Sequence, residues 1–227
     1  MHTCTVGQMR VLLDSVCNVV PYVNLTLKQG TATFTAFDTH QSVLCTAQLP
    51  VSFAASGCAY MHVPSCRAAL RSVNATTPLT ITVDNDSFTM AWARQRHTYT
   101  HVRVRATPSL GSLVRCGAFI MPSADLLKFA RDTMANVVTF KAAGDLLIRA
   151  VTDVCVSEYT VPPFDDPVNH FAPAPSTITC TTKNLVSIAK AALFHKSVII
   201  TVCVNEVLIV YRKDLSTHVS FVLARAL

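Results

Sequence analysis

Three of the predicted helices carry pairs of basic residues spaced so that both side chains lie on one helix face. The pairs are Arg67 with Arg71, Lys128 with Arg131, and Lys183 with Lys190, and a further cation, Arg10, lies on the polar face of the first predicted helix. Side chains of this kind can contact phosphate groups without reading bases, although lysine and arginine on any single helix more often simply face solvent. Acidic residues (Asp14, Asp125 and Asp132) share these helices, so the prediction of phosphate contact depends on the excess of positive charge.

The acidic residues and histidines do not form a recognisable catalytic or metal site. Asp165 and Asp166 are adjacent in a proline-rich stretch without a nearby nucleophile, and Asp84 and Asp86 are typical turn residues. The eight histidines are dispersed, and the sequence has neither zinc-ligand spacing nor a glycine-rich phosphate loop. We therefore predict that the protein is not an enzyme and that it needs no metal or cofactor.

Composition indicates a globular, sheet-rich protein that is mildly basic. Of its 227 residues, 51% are hydrophobic and 14% are charged, and the net charge of +6 suits a polyanionic partner. The nine cysteines contain no C-x-x-C spacing, which predicts reduced, mostly buried residues of an intracellular protein. The most apolar run, 197–211, is interrupted by Asn205 and Glu206, so no membrane partner is predicted.

A helix followed by strands occurs four times along the sequence, in two groups of two. Apolar spacing predicts helices over Val6–Val20, from Pro64, from Pro122 to about Met134, and from Lys183 to Phe194. Alternating segments between them predict antiparallel strands. The fold class is therefore α+β, with an N-terminal domain over 1–106, a connector over 107–116 that contains Pro108 and Gly111, and a C-terminal domain over 117–227.

Four colinear segments carry a resemblance to a known family. They are IMPSADLLKFARD (120–132), the stretch from Gly30 to Phe37-Asp38-Thr39, the helix LVSIAKAALF (185–194) with Lys190, and HVSFVLA (218–224). In this order and at these distances, they make the chain similar to the sliding clamps of the proliferating cell nuclear antigen (PCNA) family. The resemblance spans nearly the whole chain and implies the DNA clamp fold, with two similar domains that each pack two short helices on antiparallel sheets.

The resemblance also implies a function. Sliding clamps are non-enzymatic rings that encircle double-stranded DNA without sequence specificity and tether DNA polymerase and other replication or repair proteins. The resemblance further implies a clamp loader as a partner and a nuclear location. It also implies a homotrimeric ring, with a dimer as the alternative. The surface formed by the basic helix faces would then line the central channel.

Two edge strands are implicated in assembly by the same resemblance. The segment 100–106 places His101, Arg103 and Arg105 on one face, and in the resembled clamps this strand pairs with the neighbouring subunit. Its partner corresponds to the strand near Glu158, with Asp153 close by in the sequence. A basic edge facing an acidic edge would suit a head-to-tail contact, although charge on an edge strand also serves simply to prevent aggregation.

Partner proteins of the resembled clamps insert a short peptide, with one apolar and two aromatic residues, into a pocket between the connector and the C-terminus. The residues that correspond here are all apolar, as a peptide groove requires: Phe37, Leu110, Leu113, Val207, Val222, Leu223 and Ala224. For Phe37 and Val222, ordinary membership of the core is an equally good interpretation.

Three departures from the family leave other interpretations open. The chain is basic where eukaryotic clamps are acidic, its connector is shorter, and Arg225 replaces a proline. These features suggest a divergent member, with a viral origin as one interpretation, which would act in the host nucleus or a viral replication compartment. The alternatives are a herpesvirus-type processivity factor that binds DNA as a monomer or dimer without a closed ring, a subunit of a checkpoint clamp, and a scaffold that no longer loads onto DNA.

Overall fold

The structure is a computed structural model that describes nine segments of the chain. They are residues 2–28, 30–38, 42–51, 57–84, 87–100, 113–164, 175–191, 195–212 and 217–224. Within these segments the four helices are α1 (Val6–Val16), α2 (Val63–Leu70), α3 (Ser123–Asp132) and α4 (Thr182–Ala189). The strands are β1 (His2–Thr5), β2 (Tyr22–Lys28), β3 (Thr31–Phe37), β4 (Val43–Pro50), β5 (Gly57–His62), β6 (Pro78–Val83), β7 (Ser87–Trp92), β8 (Gln95–Thr100), β9 (Arg115–Pro122), β10 (Val137–Ala143), β11 (Asp145–Val151), β12 (Val156–Val161), β13 (Ser176–Thr181), β14 (Ser197–Cys203), β15 (Glu206–Arg212) and β16 (His218–Ala224).

The same order of elements occurs twice along the chain. The first series contains β1 to β8 with α1 and α2, in the order of one strand, one helix, four strands, a second helix and three strands. The second series contains β9 to β16 with α3 and α4 in the same order. The predicted α+β class and the predicted grouping of the helices two and two are confirmed.

The chain divides into two compact units, within each of which the residues lie close together in space. Unit 1 comprises Met1–Asp38, Cys45–Ser109 and Lys213–Val219, and unit 2 comprises Thr39–Leu44, Leu110–Arg212 and Ser220–Leu227. Residues 101–112, which contain most of the predicted connector, lie outside the described residues. The domain boundaries therefore remain a prediction.

The strands of unit 1 belong to two antiparallel sheets. One sheet has the order β1-β6-β7-β8, and the other contains β5, β2, β3 and β4 as successive neighbours. Along β2, the residues Val23, Leu25 and Leu27 are buried in the core, while the residues between them face the other side of the sheet. The alternation of apolar and polar residues along a strand thus determines which of its side chains are buried in the core.

Unit 2 repeats this organisation with different residues. Its strands β12-β11-β10-β13 form one sheet, and β16, β15, β14 and β9 are successive neighbours in the other. The β10–β11 hairpin turns at Gly144, whose φ of 90° favours glycine. Phe140 pairs with Ile148 across this hairpin, and both side chains are fully buried.

Helix α1 begins at a local hydrogen-bonded cap, and both α1 and α4 end earlier than apolar spacing predicts. At the start of α1, the Gln8 amide donates to Thr5 Oγ1 and the Thr5 amide donates to Gln8 Oε1, which forms a capping box. The helix ends at Val16, although buried Val20 continues the apolar period. Similarly, α4 ends at Ala189; residues 192–194, in the predicted last turn, lie outside the described residues.

All nine cysteines are free, and six of them are buried. Burial raises the pKa of the Cys4, Cys66 and Cys180 thiols to about 12. The exposed cysteines are Cys58 and Cys155. The prediction of mostly buried cysteines is confirmed.

Tyr211 allows a test of the core of unit 2. Its hydroxyl is buried without a hydrogen-bond partner in the described part of the chain, and burial raises its pKa. Tyr211→Phe should leave the free energy of unfolding unchanged or increase it by about 1 kcal/mol, because no hydroxyl then has to be desolvated. Phe221, which contacts the Tyr211 ring edge-on, provides the control, since Phe221→Leu should be destabilising. A lower melting temperature for Tyr211→Phe would show that the hydroxyl has a partner.

Candidate nucleic-acid interface and partner surfaces

In unit 1, α1 packs against α2, and Arg10 joins the two helices. Its guanidinium donates to the carbonyl oxygen of Arg71 at 3.2 Å and to that of Val73 at 2.6 Å. These carbonyls lie at and just beyond the C-terminal end of α2, where helix carbonyls lack partners within the helix and where a positive charge is favourable. Arg10 thus has a structural role in addition to its predicted contact with phosphate.

A second contact between the two helices is an ion pair. Arg67 Nε donates to Asp14 Oδ1, and this hydrogen bond raises the pKa of Arg67. The Arg67 side chain is 54% exposed and the Asp14 side chain is 20% exposed. The pair is therefore accessible to solvent, but Asp14 offsets the positive charge that Arg67 would offer to a phosphate.

Arg71 differs from these two cations. Its side chain is exposed and forms no ion pair with the described residues. Among the three predicted phosphate contacts of unit 1, Arg71 is therefore the one whose charge is fully available.

In unit 2, α3 packs against α4 in the same way, and its cations remain available. Lys128 and Arg131 are exposed on α3, and neither forms an ion pair with the residues that the structure describes. The buried side of α3 contains Leu126, Phe129 and Ala130.

Lys183 and Lys190 lie at the two ends of α4. Lys183 is exposed in the first turn, and Lys190 is half-buried at the C-cap. Within the described segments neither forms an ion pair.

The edge strand β12 is linked to α3 by one hydrogen bond. The Tyr159 hydroxyl donates to Asp125 Oδ2 at 2.7 Å, and this bond raises the pKa of Tyr159. Asp125 belongs to the first turn of α3, where negative charge favours the helix.

The predicted subunit edges are only partly described. His101, Arg103 and Arg105 lie outside the described residues. Asp153 is exposed in the turn before β12, whereas Glu158 accepts from Arg149 at 3.1 Å across the β11–β12 pair. The acidic character of this edge is thus partly balanced within the chain.

Strand β8 is an edge strand that begins at Gln95, five residues before the predicted edge segment 100–106. It is the last strand in the order β1-β6-β7-β8, and its Arg96 and His97 are exposed. The His97 ring stacks on Trp92 at 4.8 Å between centroids. The polar segment QRHTYT gave little apolar alternation by which this strand could be recognised.

The residues predicted to form a peptide pocket differ in accessibility. Phe37, in unit 1, is 42% exposed, so it is not ordinary core. In unit 2, Val207, Val222 and Leu223 are buried, Leu113 is half-buried and Ala224 is exposed. Leu110 and Arg225 lie outside the described residues. Membership of the core therefore holds for Val222 and not for Phe37.

A group of aromatic side chains on β2 and β5 was not predicted from the sequence. Tyr22 and Tyr60 stack with their rings 5.2 Å apart and nearly parallel, and Tyr22 also contacts His62. The signal was available in β2, where Tyr22 shares the outer face of the strand with polar residues.

The described residues contain no group of three or more His, Cys, Asp or Glu side chains arranged to hold a metal ion. Nor is any helix in those segments long and apolar enough to cross a membrane.

The arrangement of two units, each with a pair of helices packed together and antiparallel sheets, is the DNA clamp fold. The crystal structure of the proliferating cellular nuclear antigen from Entamoeba histolytica matches this chain with a TM-score of 0.83, over 100% of this chain and 98% of the other. The two sequences are 11% identical, so the likeness is one of fold. No family model matches the sequence, and no curated protein matches it. The fold predicted from the four colinear segments is confirmed.

The structural role of Arg10 can be separated from DNA contact by measuring stability. Arg10→Met keeps most of the apolar stem but removes both bonds to the end of α2, so the free energy of unfolding should fall by about 1 kcal/mol or more. Arg71→Met removes a cation that has no ion-pair partner in the described residues and should change this energy by less than about 0.5 kcal/mol. Urea denaturation of both variants compares the two effects, and equal losses would contradict the assignment.

Proposed function

We propose that the protein is a sliding-clamp subunit that encircles double-stranded DNA and tethers DNA polymerase and other replication or repair proteins. The observation that carries the proposal is the full-length match to a clamp fold. In each unit of that fold, the paired helices present available cations. They are Arg71 in unit 1 and Lys128, Arg131 and Lys183 in unit 2.

The available cations would act as weak phosphate contacts. Each releases about one counterion from DNA, so a small number gives modest, salt-dependent affinity without sequence preference. Weak contacts of this kind allow the protein to move along the duplex. Arg67 and Arg10 would contribute less than the others, because Asp14 and the carbonyls at the end of α2 already engage them.

Subunits would associate through the edges of β8 and β12. The exposed Arg96 on β8 provides positive charge, and Glu158 and Asp153 provide negative charge at or beside β12. The segment with His101, Arg103 and Arg105 continues the basic edge in the sequence. A head-to-tail contact of this type closes into a ring, for which a homotrimer is proposed and a dimer is the alternative.

Partner proteins would dock a short peptide on the surface that includes Phe37. Its exposed ring offers the apolar contact that an aromatic peptide side chain requires. Leu113 and Ala224 are the accessible members of the predicted set in unit 2. In this role the protein is not an enzyme, needs no cofactor, and works in the nucleus or a viral replication compartment, with a clamp loader to open the ring.

One observation favours a second candidate within DNA tethering. The net charge of +6 would allow an open, herpesvirus-type processivity factor to hold DNA as a monomer or dimer by electrostatic attraction alone.

Charge reversal tests the DNA-facing helices. The test needs a DNA polymerase that the wild-type protein stimulates. A triple variant with Arg71→Glu, Lys128→Glu and Arg131→Glu should shorten the products of this polymerase by about ten-fold, because phosphate contacts are lost. The matched control reverses Lys28, Lys141 and Arg212, which are exposed on strands β2, β10 and β15; this variant lowers the net charge from +6 to zero, as the first variant does. Equal loss in both triple variants would indicate a general charge effect and contradict the assignment.

Ring closure is tested by mass and by DNA topology. Light scattering should give about three times the chain mass of 24.6 kDa, or twice this mass for the dimer. After loading, the protein should remain on closed circular DNA and be lost when the circle is cut, because a closed ring slides off a free end. Equal retention on circular and linear DNA would favour the open tethering factor instead.

A further inference from the structure

Three exposed valines lie close together at the turn between β11 and β12. Val151 is 53% exposed, Val154 is 90% exposed and Val156 is 52% exposed. Val151 and Val156 are direct partners in the antiparallel pairing of β11 with β12, so their side chains lie side by side on one face of the sheet. Val154 belongs to the turn that joins them. We call Val151, Val154 and Val156 the valine cluster.

The turn that presents Val154 is held by its own hydrogen bonds. The Thr152 amide donates to the carbonyl oxygen of Cys155 at 2.8 Å. Thr152 Oγ1 accepts from the Cys155 amide at 2.9 Å and from the Val154 amide at 3.4 Å. Rotating this backbone to bury Val154 would break these bonds, so the turn keeps the side chain exposed to solvent.

Strand β12 lacks the features that commonly protect the edge of a sheet. It is the outermost strand in the order β12-β11-β10-β13. Natural edge strands are often blunted by lysine, proline or a bulge. Strand β12 contains neither lysine nor proline, its pairing with β11 is unbroken, and its one charged residue, Glu158, already engages Arg149 at 3.1 Å. An edge that combines exposed valines with little free charge is suited to being covered by a further strand.

A second copy of this chain has an edge with matching chemistry. Branched side chains on neighbouring strands pack well against each other, so an exposed valine pair favours a strand that also presents branched residues. Strand β8 is an edge strand at the end of the order β1-β6-β7-β8. The sequence that follows it alternates His101, Arg103 and Arg105 with Val102 and Val104. This edge would therefore offer valines as well as positive charge.

We propose that the valine cluster is the apolar anchor of the contact between β12 of one copy and the basic edge of a second copy. The inference rests on the proposed function, because it states what holds the subunits of the proposed ring together. Charge would steer the approach, since Asp153 is exposed beside β12 and Arg96 is exposed on β8. Burial of the valines would supply most of the affinity, because Arg149 already balances Glu158 within the chain.

The anchor separates subunit association from DNA contact by their responses to salt. Salt screens contacts between charges and weakens binding to phosphates, but it does not weaken the burial of apolar surface. Subunits held by the valine cluster should therefore stay associated at a salt concentration that releases DNA.

The test measures the mass of the full chain by light scattering over a range of protein concentrations, in about 0.1 M and about 1 M sodium chloride. The wild-type protein should keep the same multiple of the chain mass in both. Val154→Thr and Val156→Thr together should weaken association by about ten-fold or more, because threonine keeps the branched shape but adds a hydroxyl that must be desolvated. The matched control is Val204→Thr, which should leave association unchanged, since Val204 is also 52% exposed in unit 2 but lies between β14 and β15.

The outcomes distinguish the anchor from the proposed ring. Dissociation of the wild-type protein in about 1 M sodium chloride would show that ion pairs hold the contact, which overturns the anchor and leaves the ring intact. An equal effect of the double variant and of Val204→Thr would overturn it as well. A wild-type protein with the mass of one chain under all these conditions would contradict the subunit contact itself. Circular dichroism checks that the double variant is folded, and the salt comparison depends on no variant.

Discussion

Burial of the apolar side of each helix is the constraint on which the rest of the structure depends. The helices have eight to eleven residues, too few to be stable in isolation, so packing must hold them in place. In each unit the two helices pack together, and their buried residues fix their rotation. The polar residues that remain accessible, including Lys128 and Arg131 on α3, are therefore determined by Leu126, Phe129 and Ala130 on its other side.

Much of the fold could be predicted because strong periodic patterns coincide with real elements. The β10–β11 hairpin follows from alternating residues around Gly144, and α3 follows from Pro122 and its apolar spacing. Helix ends were less predictable. Val20 keeps the apolar period of α1 although the helix has ended at Val16, because a turn can bury a side chain as well as a helix can. The start of β8 at Gln95 was not predicted, because a polar edge strand has little hydrophobic alternation.

The candidate site was less predictable, because sequence spacing shows which face a side chain shares but not what it contacts. Arg10 and Arg71 both follow the basic pattern, yet Arg10 donates to two carbonyls at the end of α2 while Arg71 remains available. The ion pair of Arg67 with Asp14 joins residues far apart in the sequence, so spacing within one helix could not reveal it. Such pairings depend on tertiary packing.

The hydrogen bond from Tyr159 to Asp125 has a mechanical consequence. It ties the middle of the edge strand β12 to the first turn of α3, the helix on which Lys128 and Arg131 lie. A chain that pairs along β12 would limit the motion of this strand, and the bond would pass that loss of freedom to α3. Such a pairing would link the freedom of motion of α3 to that of β12 through one phenol and one carboxylate, without any change in the shape of either element.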